Sequence, residues 1–248
     1  MADVNAADTK TAALAATEAL EIVELHGVKV PIDPKLMSPH MLEVIRSGRY
    51  EDREAARIPG LIEDGERVVE IGGGIGYLSS LIARENRAAT IVVFEANPGL
   101  IPLIEATHRL NGVEAIVRHE IIVAAKTAET LLFYLHEHFW ASSMVRLSKR
   151  SRVDVVPVRQ VAFDEVLREH APTFLIVDIE GGEGALFKGI ELTGVRKVLI
   201  EIHEKVLGSA GVKALFDFFS AQDFFYDTRN SEGRVVLFRR LEEEAGST

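Results

Sequence analysis

The stretch VVEIGGGIGYLSS, residues 68–80, constrains the fold of this chain more than any other segment. Val68 to Ile71 have strand composition, Gly72, Gly73, Gly74 and Gly76 make a turn, and an apolar helix is predicted from about Tyr77. Glycine has no Cβ and reaches φ > 0 freely, so such a turn can bring bare main chain against a ligand. The helix behind it starts with unpaired N–H groups. Glu95, in IVVFEANP, ends the next predicted strand, where an acid can accept both hydroxyls of a ribose, with Ala96 beside it. Strand, glycine turn, helix and downstream acid together predict a nucleoside cofactor at the C-terminal edge of a parallel sheet.

The glycine spacing narrows the cofactor. A dinucleotide fingerprint, G-x-G-x-x-G, needs a third glycine where this chain has Tyr77 or Ser79. The frame that fits is E-x-G-x-G-x-G, with Glu70, Gly72, Gly74 and Gly76. It suits S-adenosylmethionine, which has no pyrophosphate to cradle but carries a sulfonium and an amino-acid tail. A carboxylate at Glu70 would complement those positive charges, whereas beside a phosphate it would repel.

The chain has 248 residues, 47% of them hydrophobic and 27% charged, which describes one well-cored α/β domain. A net charge of −10 argues against nucleic acid, whose binding needs a basic face to release counterions. The expected partner is a small-molecule substrate, with no nucleic acid and no membrane, and self-association as a homodimer is allowed. There is no cysteine, hence neither a disulfide framework nor a thiolate metal site. The start MADVNAADTK has acids and no apolar core, so a cytoplasmic enzyme is expected.

Along the chain, residues 1 to about 20 are Ala-rich and are either helical or frayed. Residues 21–33 predict a hairpin turning near Gly27, and Ser38 to Ser47 and Asp52 to Ile58 predict helices. Strands are then expected at 67–71, 90–95, 115–119, 173–179 and 195–202, and helices at 77–86, 98–110, 161–169, 183–189 and 210–220. Such alternation means a doubly wound, mostly parallel sheet with helices on both faces. Residues 223–240 differ: two strands flank Asn230–Gly233, so the sheet should end in an antiparallel hairpin strand, as in the Rossmann-like class I methyltransferase fold. The expected organisation is an N-terminal extension over 1–50 packed in the same domain, a methyltransferase domain over 51–241, and a disordered tail over 242–248. The segment 120–160 breaks the alternation. TLLFYLHEHF (130–139) and VDVVPV (153–158) have strand composition, with Pro157 suggesting an edge or a strand end. Between them Arg146, Lys149, Arg150 and Arg152 make either a loop that selects an anionic substrate group or a solvated surface loop.

Two further clusters carry candidate chemistry. In TFLIVDIEGGEG (173–184) an apolar strand ends at Asp178, followed by Glu180 and Glu183 around Gly181–Gly182. Three acids in one short loop repel unless a cation, a basic partner or hydrogen bonds compensate. They could hold the methionine ammonium and substrate, or a divalent metal with His203, or be ordinary helix-start acids. In KVLIEIHEK (197–205), Glu201 and His203 fall on one side of a strand. His203 has a side chain suited to taking a hydroxyl proton, with Asp178 or Glu201 as helper, or it is a satisfied strand-end histidine. A metal is allowed by these acids but not expected.

In this order the clusters resemble the FkbM-type family of S-adenosylmethionine-dependent methyltransferases. The segments concerned are 47–80, 91–112, Ser142–Ser143, 155–167, 174–190 and 198–204, with D-x-E-G-x-E at Asp178, Glu180, Gly181 and Glu183 the most specific. The resemblance implies methylation of a hydroxyl on a sugar, polyketide or similar metabolite, and places Tyr50 and Glu51 near the cofactor. The chain departs from the family's D-x-G-x-x-x-G in having Glu70 and the extra Gly74. The expectation is therefore an O-methyltransferase, with methylation of an amine or protein side chain, or cofactor binding without turnover, as alternatives. Glu70, Gly72, Gly74, Gly76, Glu95, Ala96, Tyr50, Glu51 and Asp178 are expected at the cofactor. Asp178, Glu201 and His203 are expected at the chemistry, and Glu180, Glu183, Ser142, Ser143 and Arg146 at the substrate.

Overall fold

Strands Glu21–Leu25 (β1) and Val28–Ile32 (β2) pair antiparallel across His26 and Gly27, as the turn signal predicts. The molecule is represented by a computed structural model that describes residues 20–136 and 153–241. The expectations for the amino-terminal residues, for the basic loop with Ser142, Ser143 and Arg146, and for the tail lie outside the described residues.

Helix α1 (Pro39–Arg46) starts where Ser38 Oγ accepts the N–H of Met41 at 3.2 Å, with proline at the first turn. The single helix expected over 52–58 is instead two short turns, α2 (Asp52–Ala55) and α3 (Ile58–Leu61). Pro59 explains the break: its ring suits a helix start but clashes with the carbonyl four residues back.

The main sheet has seven strands in the order β11-β12-β10-β9-β3-β4-β5. They are β3 (Glu66–Ile71), β4 (Ala88–Phe94), β5 (Ile116–Arg118), β9 (Phe174–Val177), β10 (Lys197–Glu201), β11 (Phe224–Tyr226) and β12 (Val235–Arg240). Strands β5, β4, β3, β9 and β10 are mutually parallel, and β12 joins antiparallel to β10 and β11. The mostly parallel sheet ending in an antiparallel hairpin is the architecture predicted. Helices α4 (Tyr77–Arg84) and α5 (Ile101–Asn111) cover one face with the hairpin and α1, while α6 (Phe163–His170), α7 (Glu183–Leu186) and α8 (Glu204–Ser220) cover the other. Alternate strand residues feed the two layers: Val68, Val93 and Ile176 pack on the first, Val69, Val92 and Val177 on the second. Burial on both sides is why these strands read as continuous apolar runs.

Two helices differ from their predicted extents. The helix over 183–189 is a single turn, and the one over 210–220 begins at Glu204, with Gly208 (φ 65°, ψ 167°) interrupting it. The irregular segment folds as a separate three-stranded sheet, β6 (Ile121–Val123), β8 (Val153–Ala162) and β7 (Thr130–His136), in the order β6-β8-β7. Pro157 pairs with Leu132 of β7, whereas β6 reaches only residues 160–162, so the proline has one neighbouring strand. No helix among the described residues is long and apolar enough to cross a membrane.

Candidate active site

The strand order reverses between β3 and β9: β4 and β5 extend one way from it, β10, β12 and β11 the other. At such a point the two connecting loops part and leave a crevice at the strands' C-terminal ends. Gly72 leaves β3 there and Asp178 leaves β9, and the Asp178 N–H donates to the carbonyl of Ile71 at 2.9 Å. A Cβ on Gly72 (φ 92°) would stand 1.8 Å from the Asp178 carbonyl oxygen, so only glycine fits. At Gly74 (φ 53°) a Cβ would meet the Tyr50 hydroxyl at 3.0 Å, and the Gly74 N–H donates to Glu95 at 3.1 Å. Glu95 also accepts the N–H of Asn97 at 2.6 Å, and burial outweighs these bonds, pushing its carboxyl up to about 7.

A cavity of about 580 Å³ opens over this turn. Ile71, Gly72, Gly74, Glu95 and Ala96 line one wall, Tyr50 and Glu51 a second, and Ile121, Ile122 and Phe133 of the small sheet a third. Asp178, Glu180, Glu201 and His203 line another part, and Arg49, Arg53 and Arg234 also reach it. S-adenosylmethionine fits such a lining. Bare main chain at Gly72 and Gly74 would leave room for an adenosyl group, Glu95 stands beside that space, and the surplus of acids would complement a sulfonium and an ammonium. Glu51 sits in the left-handed region (φ 47°), as does Glu180 (φ 52°), and strained non-glycine residues of this kind cluster at functional sites.

The acids brought together by β9 and β10 surround one imidazole. His203 Nε2 lies 3.1 Å from Glu180, 3.8 Å from Asp178 and 3.9 Å from Glu201, while Nδ1 lies 2.7 Å from Glu183. Burial alone would depress the ring's pKa, but its bonds to Glu180 and Glu183 prevail and push it up to about 11. Asp178 is pushed well above the usual carboxylate range by burial and by Glu201 and Glu180. A cationic His203 cannot take a proton at neutral pH, so the geometry does not suit it to the base role expected from its residue type. Asp178, Glu201 and His203 each bring a ligand-type atom within 4.8 Å of the others, but a protonated ring has no lone pair for a metal.

Three residues expected at the ligand stand elsewhere. Glu70 is almost wholly buried and does not line the cavity; it faces Ser79 in the first turn of α4, and burial pushes its carboxyl up to about 8. Alternation explains the misreading, because residues 68 and 70 turn toward the helix layer, away from the crevice. Gly76 (φ 76°) also points away: a Cβ there would meet the Ile104 main chain at 3.1 Å, so the glycine serves helix packing. Glu183, expected at the substrate, lies behind His203 with its side chain fully buried. Sequence reasoning overlooked Arg49, Arg53 and Glu54, which flank Tyr50–Glu51, and Arg234, which the terminal hairpin carries to the cavity. Proximity to Tyr50 was a usable signal for the first three; nothing local marks Arg234.

Residues 23–129 match the family model of the TRM5/TYW2 methyltransferase domain, which is under half of the chain. The chain is an S-adenosylmethionine-dependent methyltransferase. Among solved structures, the Pyrococcus horikoshii protein PH0793 is 13% identical over 89% of this chain and 70% of that one, with a TM-score of 0.50. At this identity the likeness speaks for the fold, a Rossmann-like class I methyltransferase. Methanogen TYW2 (M. jannaschii), solved with AdoMet, is 13% identical over 90% of this methyltransferase and 87% of its own chain, with a TM-score of 0.45. Streptococcus pneumoniae Sp1610, described as a candidate tRNA (m1A22) methyltransferase and solved with S-adenosyl-L-methionine, is 10% identical over 78% and 75%, with a TM-score of 0.46. No curated protein matches the chain.

Two expectations fall with these matches. The FkbM-type family is overturned by the TRM5/TYW2 match. The motifs that suggested it lie at the ends of the first, second, fourth and fifth parallel strands, where any class I methyltransferase needs glycines and acids around its cofactor. The exclusion of nucleic acid is overturned as well, because TRM5/TYW2 domains belong to tRNA-modifying methyltransferases. A whole-chain charge of −10 averages over the surface and does not report that Arg49, Arg53 and Arg234 are among the residues lining the cavity.

Proposed function

We propose that this methyltransferase modifies a nucleobase nitrogen of tRNA. The observation that carries the reading is the convergence of Asp178, Glu180 and Glu201 in one part of a cavity that arginines also line. Carboxylates accept hydrogen bonds and donate none, so they read the N–H edge of a base, as Asp and Glu do with cytosine N4. The match to a tRNA-modifying domain supports the same substrate class. No match supports the metabolite hydroxyl expected from the sequence.

In this reading Gly72, Gly74, Glu95 and Ala96 hold the adenosyl group, with Glu95 on the ribose, and Tyr50 and Glu51 close over it. When bound, the cofactor would supply an electrophilic methyl: the base nitrogen would bond to it as its carbon–sulfur bond breaks, the sulfur leaving as a neutral thioether. Asp178 Oδ1, which has no hydrogen-bond partner, takes the proton that this nitrogen loses when its carboxyl is ionised, the form that His203 beside it at 3.8 Å favours. Glu180 and Glu201 orient the base edge. Arg49, Arg53 and Arg234 meet backbone phosphates. Arg53 pairs with Glu232 at 3.9 Å between two half-exposed side chains, a surface pair weak enough to exchange for a phosphate, while Arg234 reaches in to the more buried Glu201 at 2.8 Å. A base must leave its stack to enter the cavity.

Incubation with methyl-labelled S-adenosylmethionine and unmodified tRNA should label the RNA. Asp178→Asn should lower that rate by about 10²–10⁴-fold. Label passing to free sugars or polyketides and never to tRNA would overturn the proposal.

A further inference from the structure

We infer that Glu183 is a positioning residue that keeps His203 cationic, so that the imidazole clips the carboxylates of the site together instead of acting as its base. Only the activity readout below rests on the tRNA reading. Glu183 has its side chain fully buried in the first turn of α7, with Oε1 2.7 Å from His203 Nδ1 and accepting the Gly181 N–H at 3.0 Å. Its other oxygen is buried without a partner, so Oε1 makes both of the side chain's contacts. The opposite ring nitrogen lies 3.1 Å from Glu180.

Both nitrogens therefore face carboxylate oxygens, which only accept. A neutral imidazole has one N–H and one lone pair, so it would set that lone pair against a carboxylate; the doubly protonated ring donates both ways. The surrounding charges favour the same state. Asp178 and Glu180 come from the loop after β9, Glu183 from α7, and Glu201 from β10, itself paired with Arg234 of β12. Glu54 from α2 adds to the negative field at Asp178. The clip also accounts for the left-handed Glu180, whose carboxylate is held on Nε2, and for Gly181, where a Cβ would stand 2.5 Å from Val206 of α8. The loop is thus pinned between the ring and the helix, and Asp178 is left facing the cavity.

Nitrogen-15 spectra of the wild-type protein between pH 6 and 9 should show both His203 nitrogens protonated throughout. A titration midpoint between pH 6 and 8 would overturn the clip, whether or not tRNA is the acceptor. Glu183→Gln keeps an acceptor for the Nδ1 proton but removes the charge. It should lower the His203 midpoint and reduce kcat on tRNA about 10–100-fold, the range seen when a metal-ligating histidine loses its orienting partner. Affinity for S-adenosylhomocysteine should stay within about twofold of the wild type, and Glu183→Asp should recover part of kcat. Wild-type kcat together with an unchanged His203 midpoint in Glu183→Gln would overturn the assignment. Should that variant not fold, the wild-type spectra still decide.

Discussion

Gly72 and the carbonyl of Asp178 are in main-chain contact across the point where the strand order reverses: a Cβ on the glycine would stand 1.8 Å from that oxygen. The contact brings the exits of β3 and β9 together, and with them the glycine turn and the acid loop. Gly72→Ala should therefore cost about 2–5 kcal/mol, combining left-handed strain with overpacking against backbone. Urea unfolding checks it. A wild-type midpoint in this variant would mean that the two loops are not so closely joined.

Glu70 makes stability depend on pH. Its folded pKa is about 8 against 4.5 for an unburied glutamate, so the folded state binds the extra proton. That contribution is fully present below about 4.5 and is lost as pH rises toward 8, by up to about 1.4 kcal/mol per pH unit. Glu95, with a folded pKa of about 7, adds a slope of the same sign. Glu70→Gln should unfold with a shallower pH dependence between 5 and 8 and be the more stable protein at pH 8. Superimposable wild-type and variant curves from denaturant titrations would refute this.

At the opposite edge of the sheet, Lys197 donates to the Leu61 carbonyl at 2.5 Å, to Glu63 at 3.0 Å and to the fully buried Glu66 at 2.5 Å. Thr173 also donates to Glu66, at 2.6 Å. Lys197→Met removes the buried cation facing Glu66, leaving it Thr173 and the half-exposed Arg196 at 3.0 Å, and should cost about 3 kcal/mol, whereas Lys197→Met with Glu66→Leu should recover much of it. Thermal melts of the single and double variants measure the difference; equal losses in both would show that the charge pairing is not what matters.

Arg49 and Arg53 are expected to meet phosphate. Arg49→Ala and Arg53→Ala should each raise KM for tRNA and reduce the slope of log affinity against log salt by about one, leaving cofactor affinity unchanged. Filter binding over a salt series tests this, and parallel slopes for wild type and variants would remove these arginines from the RNA path.

Much of this architecture was legible before any coordinates. Continuous apolar runs such as FLIV, alternating with helical patterns, specify parallel strands buried on both faces, and the Asn230–Gly233 turn announces the antiparallel end of the sheet. The glycine turn and the acids after β4, β9 and β10 are local signals, because a ligand at the C-terminal edge constrains each loop separately. Less legible was the segment that folds as β6-β8-β7. Its strands pair with one another out of sequence order, and no turn motif reports that.

What the sequence determined by itself is therefore the periodic part: which residues form strands, which glycines must turn, and which strand ends carry carboxylates. Direction was decided only in three dimensions. Glu70 and Gly76 sit inside the cofactor motif yet face the helix layer, while Arg234, far along the chain, reaches the cavity. The charge on His203 is likewise a tertiary property, since two clusters about twenty residues apart, 178–183 and 201–203, meet so that four carboxylates surround one ring. Electrostatic energy depends on distance through space, and a residue's place in the chain encodes that distance only once the sheet has closed.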